Sequence, residues 1–230
     1  MQNALKKRKQ VFPGRCPLCF TAGDCIGTFD GKQYHICPRC RMIFLNSRFF
    51  LKPAEEKKRY ETHRNNHLDP AYRRFLNRML KHLVPRLEQR NKGIDFGSGP
   101  GPTMSVMLKE RGFPTLDYDP YFANWPERLC DRYHFITCSE TVEHFRVPRR
   151  EFNLFHRLIL PGGWLGVMTG TPPPLRDFSR WWYRRDPTHV CFYYPETMRW
   201  IARLFGWRLE QPAPGVYLFK VPEELQRRHA

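Results

Sequence analysis

The segment Lys92-Gly-Ile-Asp95-Phe-Gly97-Ser98-Gly99-Pro-Gly101-Pro102-Thr103 limits what this chain can fold into more than any other. A short apolar run enters the turn, three glycines occupy alternate positions within it, and 104–112 continues as a helix that Gly112 ends. Strand, glycine-rich turn and helix in this order make the first unit of a doubly wound, Rossmann-like α/β sheet. The glycines let backbone approach a ligand closely, and ligands of such sheets lie beyond the carboxyl ends of the strands. The next strand is 115–120. Its Asp119, about 20 residues after the turn, is placed to accept hydrogen bonds from ribose hydroxyls.

The turn also excludes two ligand classes. A dinucleotide fingerprint needs its third glycine at position 102, which is Pro102, whereas here that glycine comes one residue early at Gly101. No Lys-Ser or Lys-Thr pair follows, so the turn is not a nucleoside-triphosphate P-loop.

Four of the eight cysteines form a second pattern: Cys16-Pro-Leu-Cys19, a 17-residue interval, then Cys37-Pro-Arg-Cys40. Two such knuckles bring four thiolates to one tetrahedral zinc ion, and Asp30-Gly31 between two apolar runs supplies the hairpin of a zinc ribbon. A closed four-thiolate site is structural, not catalytic. Cys25, Cys130, Cys138 and Cys191 have no metal spacing and read as buried small apolar side chains.

Charge divides the chain as well. Of its net +17, residues 1–60 supply 13 basic against 4 acidic side chains, while 91–170 balance at 9 and 9. A basic front half is compatible with a polyanionic partner, nucleic acid first, and equally with a solvated basic surface. A 41% hydrophobic content excludes a disordered chain. The longest uncharged stretch, 158–175, is broken by Pro161-Gly162-Gly163 and Pro172-Pro173-Pro174, so it is no membrane span. With no apolar run after the basic N-terminus, the expected location is cytoplasmic.

Between these blocks, 52–60 opens a short helix after Pro53, and 71–83 places Tyr72, Phe75, Leu76, Met79, Leu80 and Leu83 at helical spacing. His63 and His67 lie in a polar stretch that could close over a pocket. The expected division is a basic tail and zinc ribbon over 1–50, a helical linker or lid over 51–90, and the α/β domain over 91–230.

The α/β block resembles the class I S-adenosylmethionine-dependent methyltransferases over about residues 70–220. Asp95-x-Gly97-x-Gly99-x-Gly101 resembles their first motif and Tyr118-Asp119-Pro120 the end of their second strand. Ser139-Glu140-Thr-Val-Glu143-His144 resembles the end of their fourth strand, and Leu160-Pro161-Gly162-Gly163 the turn before the fifth. Glu143-His144 and Asp186-Pro-Thr-His189 most resemble a quinone-methylase-like subgroup. One departure is substantial: only 14 residues, 120–133, separate Asp119 from the fourth strand, so the third strand is expected to be missing or reduced. Trp125 is then the one candidate for stacking on adenine. Residues 195–204, ended by Gly206, read as a helix, and 207–211 with 216–220 as a closing antiparallel hairpin.

The resemblance implies S-adenosylmethionine as cofactor, held by Asp95, Gly97, Ser98, Gly99, Gly101, Asp119 and Glu140, with the turn's NH groups near its carboxylate. His144 and His189 are the candidate general bases, because imidazole exchanges a proton near neutral pH. Glu140 and Glu143 are alternatively caps on backbone NH groups. The aromatic, arginine-rich stretch 178–194 reads either as pocket lining or as an insert with arginines on its outer rim. Three functions follow: methylation of a small-molecule acceptor, methylation of RNA or a translation protein docked through the basic ribbon, and a non-catalytic zinc-ribbon adaptor. No Asn-Pro-Pro-Tyr-type motif follows strand four, which argues against amino-group base methylation.

Overall fold

The structure, a computed structural model, describes residues 14–62 and 66–223. Its centre is a six-stranded sheet in the order β5-β4-β6-β7-β10-β9. Strands β4 (Gly93–Phe96), β5 (Thr115–Tyr118), β6 (Tyr133–Ser139) and β7 (Ile159–Met168) run parallel, while β9 (Arg208–Ala213) and β10 (Val216–Lys220) form the antiparallel end. All four residues of β4 are buried, as a strand covered on both faces requires. The chain leaves β4 first toward β5 and then crosses back to β6. The carboxyl ends of β4 and β6 therefore border the switch point of the sheet.

The expected loss of the third strand is present. Between β5 and β6 the described chain forms only a bridge at Asp119–Ala123 and a short 3-10 turn over Pro126–Leu129. The strand expected after the Pro161-Gly162-Gly163 turn starts earlier than the sequence suggests. β7 takes in Pro161-Gly162-Gly163 as a bulge, because pairing with β6 jumps from Tyr133–Ile159 to Phe135–Trp164. Gly162 stands at φ +73°, which suits glycine.

Helices α2 (Pro70–Leu83), α3 (Thr103–Lys109), α4 (Pro148–Leu158) and α6 (Pro195–Phe205) pack on the central sheet, and the described residues also form α1 (Pro53–Tyr60) and α5 (Leu175–Phe178). Asp69 caps α2 through Ala71 N at 2.8 Å, Pro70 takes the first turn, and Leu76, Met79, Leu80 and Leu83 are buried. At the far end Gly206 closes α6 in the left-handed conformation.

At the N-terminus, β1 (Asp24–Phe29) and β2 (Lys32–Ile36) form the expected hairpin, with Asp30 and Gly31 both at positive φ in its turn. The hairpin does not stand alone. β3 (Ile43–Leu45) extends it, and β8 (Cys191–Phe192), from the connection between β7 and β9 of the central sheet, completes a four-stranded sheet in the order β1-β2-β3-β8. The ribbon cysteines, Tyr34 and Phe44 share one buried cluster with Ile94, Phe155 and Val167 of the α/β layers. Stretch 178–194 makes that joint. Phe178 meets Tyr34 edge-on at 5.4 Å, and Arg184, 3% exposed, lies over Phe29 and Tyr34 while pairing with Asp30 at 2.8 Å. Arg184 is thus an inward residue, not a rim arginine.

Candidate active site

Four thiols meet at the base of the ribbon. Cys16, Cys19, Cys37 and Cys40 are buried, their sulfurs lie within 4.8 Å of one another, and none is in a disulfide. The Cys16–Cys40 and Cys19–Cys37 sulfur separations are 3.5 and 3.3 Å. These are far beyond a disulfide bond and near the ~3.8 Å edge of a tetrahedron with 2.3 Å metal–sulfur bonds. Of the other cysteines, Cys138 and Cys191 are buried as expected, but Cys25 and Cys130 are exposed.

The switch point opens into a cavity of about 640 Å³, inside the range of small-molecule sites. Asp95, Gly97, Ser98, Gly99 and Asp119 line one end, and Glu140, Glu143, His144 and His189 line the other. Gly101 is not in the wall; its carbonyl accepts from Thr103 N at 2.7 Å just ahead of α3. Trp125 is also outside the wall, 52% exposed beneath the Arg128 guanidinium, so it is no stacking partner.

Asp95 accepts from Thr137 Oγ1 at 2.7 Å. Burial dominates its carboxyl, with Asp117 and Asp119 adding repulsion, and pushes it up to about 7. The glycine turn departs from expectation in one respect. Gly97 N and Ser98 N donate to Tyr118 O at 2.7 and 3.2 Å, and Gly99 N donates to Asp119 Oδ2 at 3.0 Å. Those NH groups bind inside the protein instead of facing a ligand. Asp119 Oδ1 further accepts from Tyr121 N and Phe122 N, so three of its roughly four acceptor directions are taken. By contrast, the Ser98 and Ser139 hydroxyls, buried in the cavity wall, have no hydrogen-bond partner among the described residues. Orphaned buried hydroxyls mark a site that a polar ligand completes.

At the other end, Tyr183 joins two carboxyls that the sequence gives no reason to pair. Its hydroxyl lies 2.9 Å from Glu140 Oε2 and close against Glu143 Oε1, and Thr169 Oγ1 donates to Glu143 Oε2 at 2.8 Å. Burial, the largest cause for each, raises Glu140 to about 7 and Glu143 to about 8. Glu140 sits at φ +48°, a left-handed conformation that aims its side chain into the cavity. His189 Nδ1 lies 2.7 Å from Tyr183 O, and His144 Nδ1 lies 3.2 Å from Thr188 O. The two rings stand edge to face at 4.7 Å.

Sequence reasoning missed Glu56 and its partners. Glu56 on α1 accepts from Tyr60, Tyr121 and Arg146 at 3.0, 3.1 and 2.7 Å, and all four residues line the cavity. The available signal was a carboxylate on a short helix whose neighbours are solvated, and nothing local marks it as buried. His67 borders a separate open groove with Arg73, Arg74 and Arg111, and His63 lies outside the described residues.

A family model described as a methyltransferase domain matches residues 63–211. An O-methyltransferase family protein from Burkholderia thailandensis shares the fold at TM-score 0.51 and 14% identity, over 78% of this chain and 63% of that one. A SAM-dependent methyltransferase from Archaeoglobus fulgidus aligns at TM-score 0.47 and 20% identity, over 59% and 69% of the two chains. A Haemonchus contortus phosphoethanolamine N-methyltransferase, solved with S-adenosyl-L-methionine, aligns at TM-score 0.46 and 16% identity over 60% and 38%. A search of curated proteins finds no significant match. Well over half of the 230 residues fall under the family model, and the chain belongs to the methyltransferase-domain family.

Proposed function

We propose that this protein transfers a methyl group from S-adenosylmethionine to a small-molecule acceptor seated against His144 and His189. The observation that carries this reading is the excess of carboxyl groups over cations in the cavity wall. In a chain of net +17, seven carboxyl side chains (Glu56, Asp95, Asp119, Glu140, Glu143, Glu151 and Asp186) line it against two guanidiniums, Arg146 and Arg150. A bound sulfonium or ammonium would favour the ionised form of the buried carboxyls, whereas a polyphosphate backbone would meet only two cations in the wall, so the basic surplus acts outside the reaction space.

The residues fit the cofactor. Asp95 would hold its ammonium, since a carboxylate that burial disfavours gains most from a cation beside it. Asp119 keeps one acceptor direction for a ribose hydroxyl. Ser98 and Ser139 offer hydroxyls that lack protein partners among the described residues. Gly97 and Gly99, at φ +84° and +64°, allow the close backbone approach. When bound, the cofactor supplies an activated methyl for in-line displacement. The protein then aligns the acceptor and removes its proton, a task assigned here to His189 and His144. Glu140, tied to Tyr183 at 2.9 Å, would border the cofactor within the same wall. Helices α1 and α2, which place Glu56, Tyr60, Tyr72 and Leu76 in the wall, would serve as the cover of the site.

We further infer that Cys16, Cys19, Cys37 and Cys40 bind one structural zinc ion. Calorimetric titration with S-adenosylhomocysteine tests the central reading. Micromolar binding is expected, and absence of binding from a folded protein refutes it. Metal analysis showing no zinc and four reactive thiols would refute the ribbon assignment.

A further inference from the structure

We propose that the outer face of α2, with the groove between it and α3, is a docking site for the phosphate backbone of single-stranded RNA. Fourteen residues form this helix, and Arg73, Arg74, Arg78 and Lys81 among them face no carboxylate within it. Arg74, Arg78 and Lys81 are exposed and recur at i, i+4 and i+7, so they stand on one face along about 10 Å of helix. The ribbon is the weaker candidate for the basic module. Its residues 14–50 hold five Lys and Arg against two Asp, and Arg39 and Arg48 already lie over the rings of Trp200 and Phe49.

Beside the row of cations, α2 and the end of α3 border an open groove of about 560 Å³ that the methyl-transfer reading does not use. Arg73, Arg74, Arg111 and His67 line it, and Glu110 is the one carboxylate in its wall. Glu110 is taken up by Arg73, whose Nη1 also donates to His67 O at 3.0 Å. Arg111 is fixed in place by donating to Met107 O at 2.6 Å and Asn77 Oδ1 at 3.2 Å, and keeps further N–H donors. Arg74 and Lys81 have no hydrogen-bond or ion-pair partner among the described residues. The same helix turns Tyr72 and Leu76 to the cavity and Arg73, Arg74 and Asn77 to the groove. One helix thus walls both spaces, and a strand held on its outer face stays out of the reaction space.

The chemistry of this face suits a phosphodiester chain. Guanidinium forks match phosphate oxygens two at a time, and a groove beside a straight row of cations admits one strand lengthwise. A flat bilayer cannot enter a concave groove. Leu68, 72% exposed, is the one exposed large apolar side chain in the groove wall, too little for insertion into lipid. The site does not rest on the methyl-transfer reading. RNA here anchors the protein, and the small acceptor still enters the cavity.

The test uses the full chain and a fluorescein-labelled oligouridylate, followed by fluorescence anisotropy over a range of salt concentrations. Saturable binding is expected, with affinity that falls as salt rises. The combined substitution Arg74→Gln, Arg78→Gln and Lys81→Gln removes up to three phosphate contacts. It should weaken binding roughly 100-fold at about 0.1 M salt and flatten the slope of log K against log salt by about 2. Glutamine retains helix propensity, and thermal unfolding shows that the variant is folded. Arg74→Gln alone, at an exposed position, should cost roughly fivefold and serves if the triple variant does not fold. Arg15→Glu with Arg41→Glu, at exposed ribbon positions, should cost less than the triple variant. No binding by the parent, an unchanged salt slope in the triple variant, or a greater loss in the ribbon variant overturns the site. Binding of the parent to phosphatidylserine vesicles and not to the oligouridylate also overturns it, and marks the face as a membrane surface.

Discussion

Asp95 concentrates the competing demands on this site. Its carboxyl, near 3.8 unfolded, is raised to about 7 by burial. Stability linked to it is therefore fully present below about pH 4 and is lost as pH rises through 7. Asp95→Asn keeps an acceptor for Thr137 without the charge. At pH 8 this variant should unfold at higher denaturant than the parent, by a few kcal/mol at most, with the gap closing toward pH 4. Equal pH dependence of the two proteins would show that Asp95 is not destabilised by burial. Binding should move in the opposite sense. S-adenosylhomocysteine affinity of the parent is expected to rise between pH 6 and 8 as Asp95 ionises, and to be weak and flat with pH in the variant. Asp119 carries a different load. Asp119→Ala frees three NH groups of the turn and its successor, and should weaken the same ligand by roughly 1–3 kcal/mol. Unchanged calorimetric affinity would remove Asp119 from the site.

At the scale of elements, the ribbon and the cavity are mechanically connected. β3 pairs with β8, Leu45 N donates to Val190 O at 2.8 Å, and Val190 directly follows His189. A ribbon of this size has too small a core to hold itself without metal. Chelating the ion proposed for Cys16, Cys19, Cys37 and Cys40 should therefore accelerate hydrogen exchange at Leu45 and Val190 while leaving β4 protected. Retained protection at Val190 in metal-free protein would separate the ribbon from the site. The aromatic joint gives a second test. Phe192, 1% exposed, packs on Tyr34 and Phe178, so Phe192→Ala should cost roughly 3–5 kcal/mol in unfolding experiments. A loss below 1 kcal/mol would mean that the joint repacks without it.

Across the whole molecule, the two charge systems should respond differently to salt. The arginine surplus lies outside a cavity rich in carboxyls, so any RNA affinity should fall steeply with ionic strength while S-adenosylhomocysteine affinity changes little. A steep salt dependence of cofactor binding would contradict the separation. No helix among the described residues is long and apolar enough to cross a membrane. Much of this architecture is legible in one dimension. The strand–turn–helix around Asp95, the two cysteine knuckles, the shortened link after Asp119 and the glycine stop at Gly206 depend on residue spacing and backbone conformation, which neighbours in sequence set. What sequence spacing cannot encode is which distant surfaces meet. His144 and His189 are 45 positions apart, Tyr183 reaches two glutamates some 40 residues earlier, and Glu56 enters the wall from a short polar helix. Those meetings follow from the strand crossover at β4 and from β8 pairing with the ribbon. The local chain therefore determined the frame and the glycine-turn part of the cavity, whereas the cluster of Glu140, Glu143, Tyr183 and the two histidines exists only because burial brought remote polar groups together, where each had to find a partner.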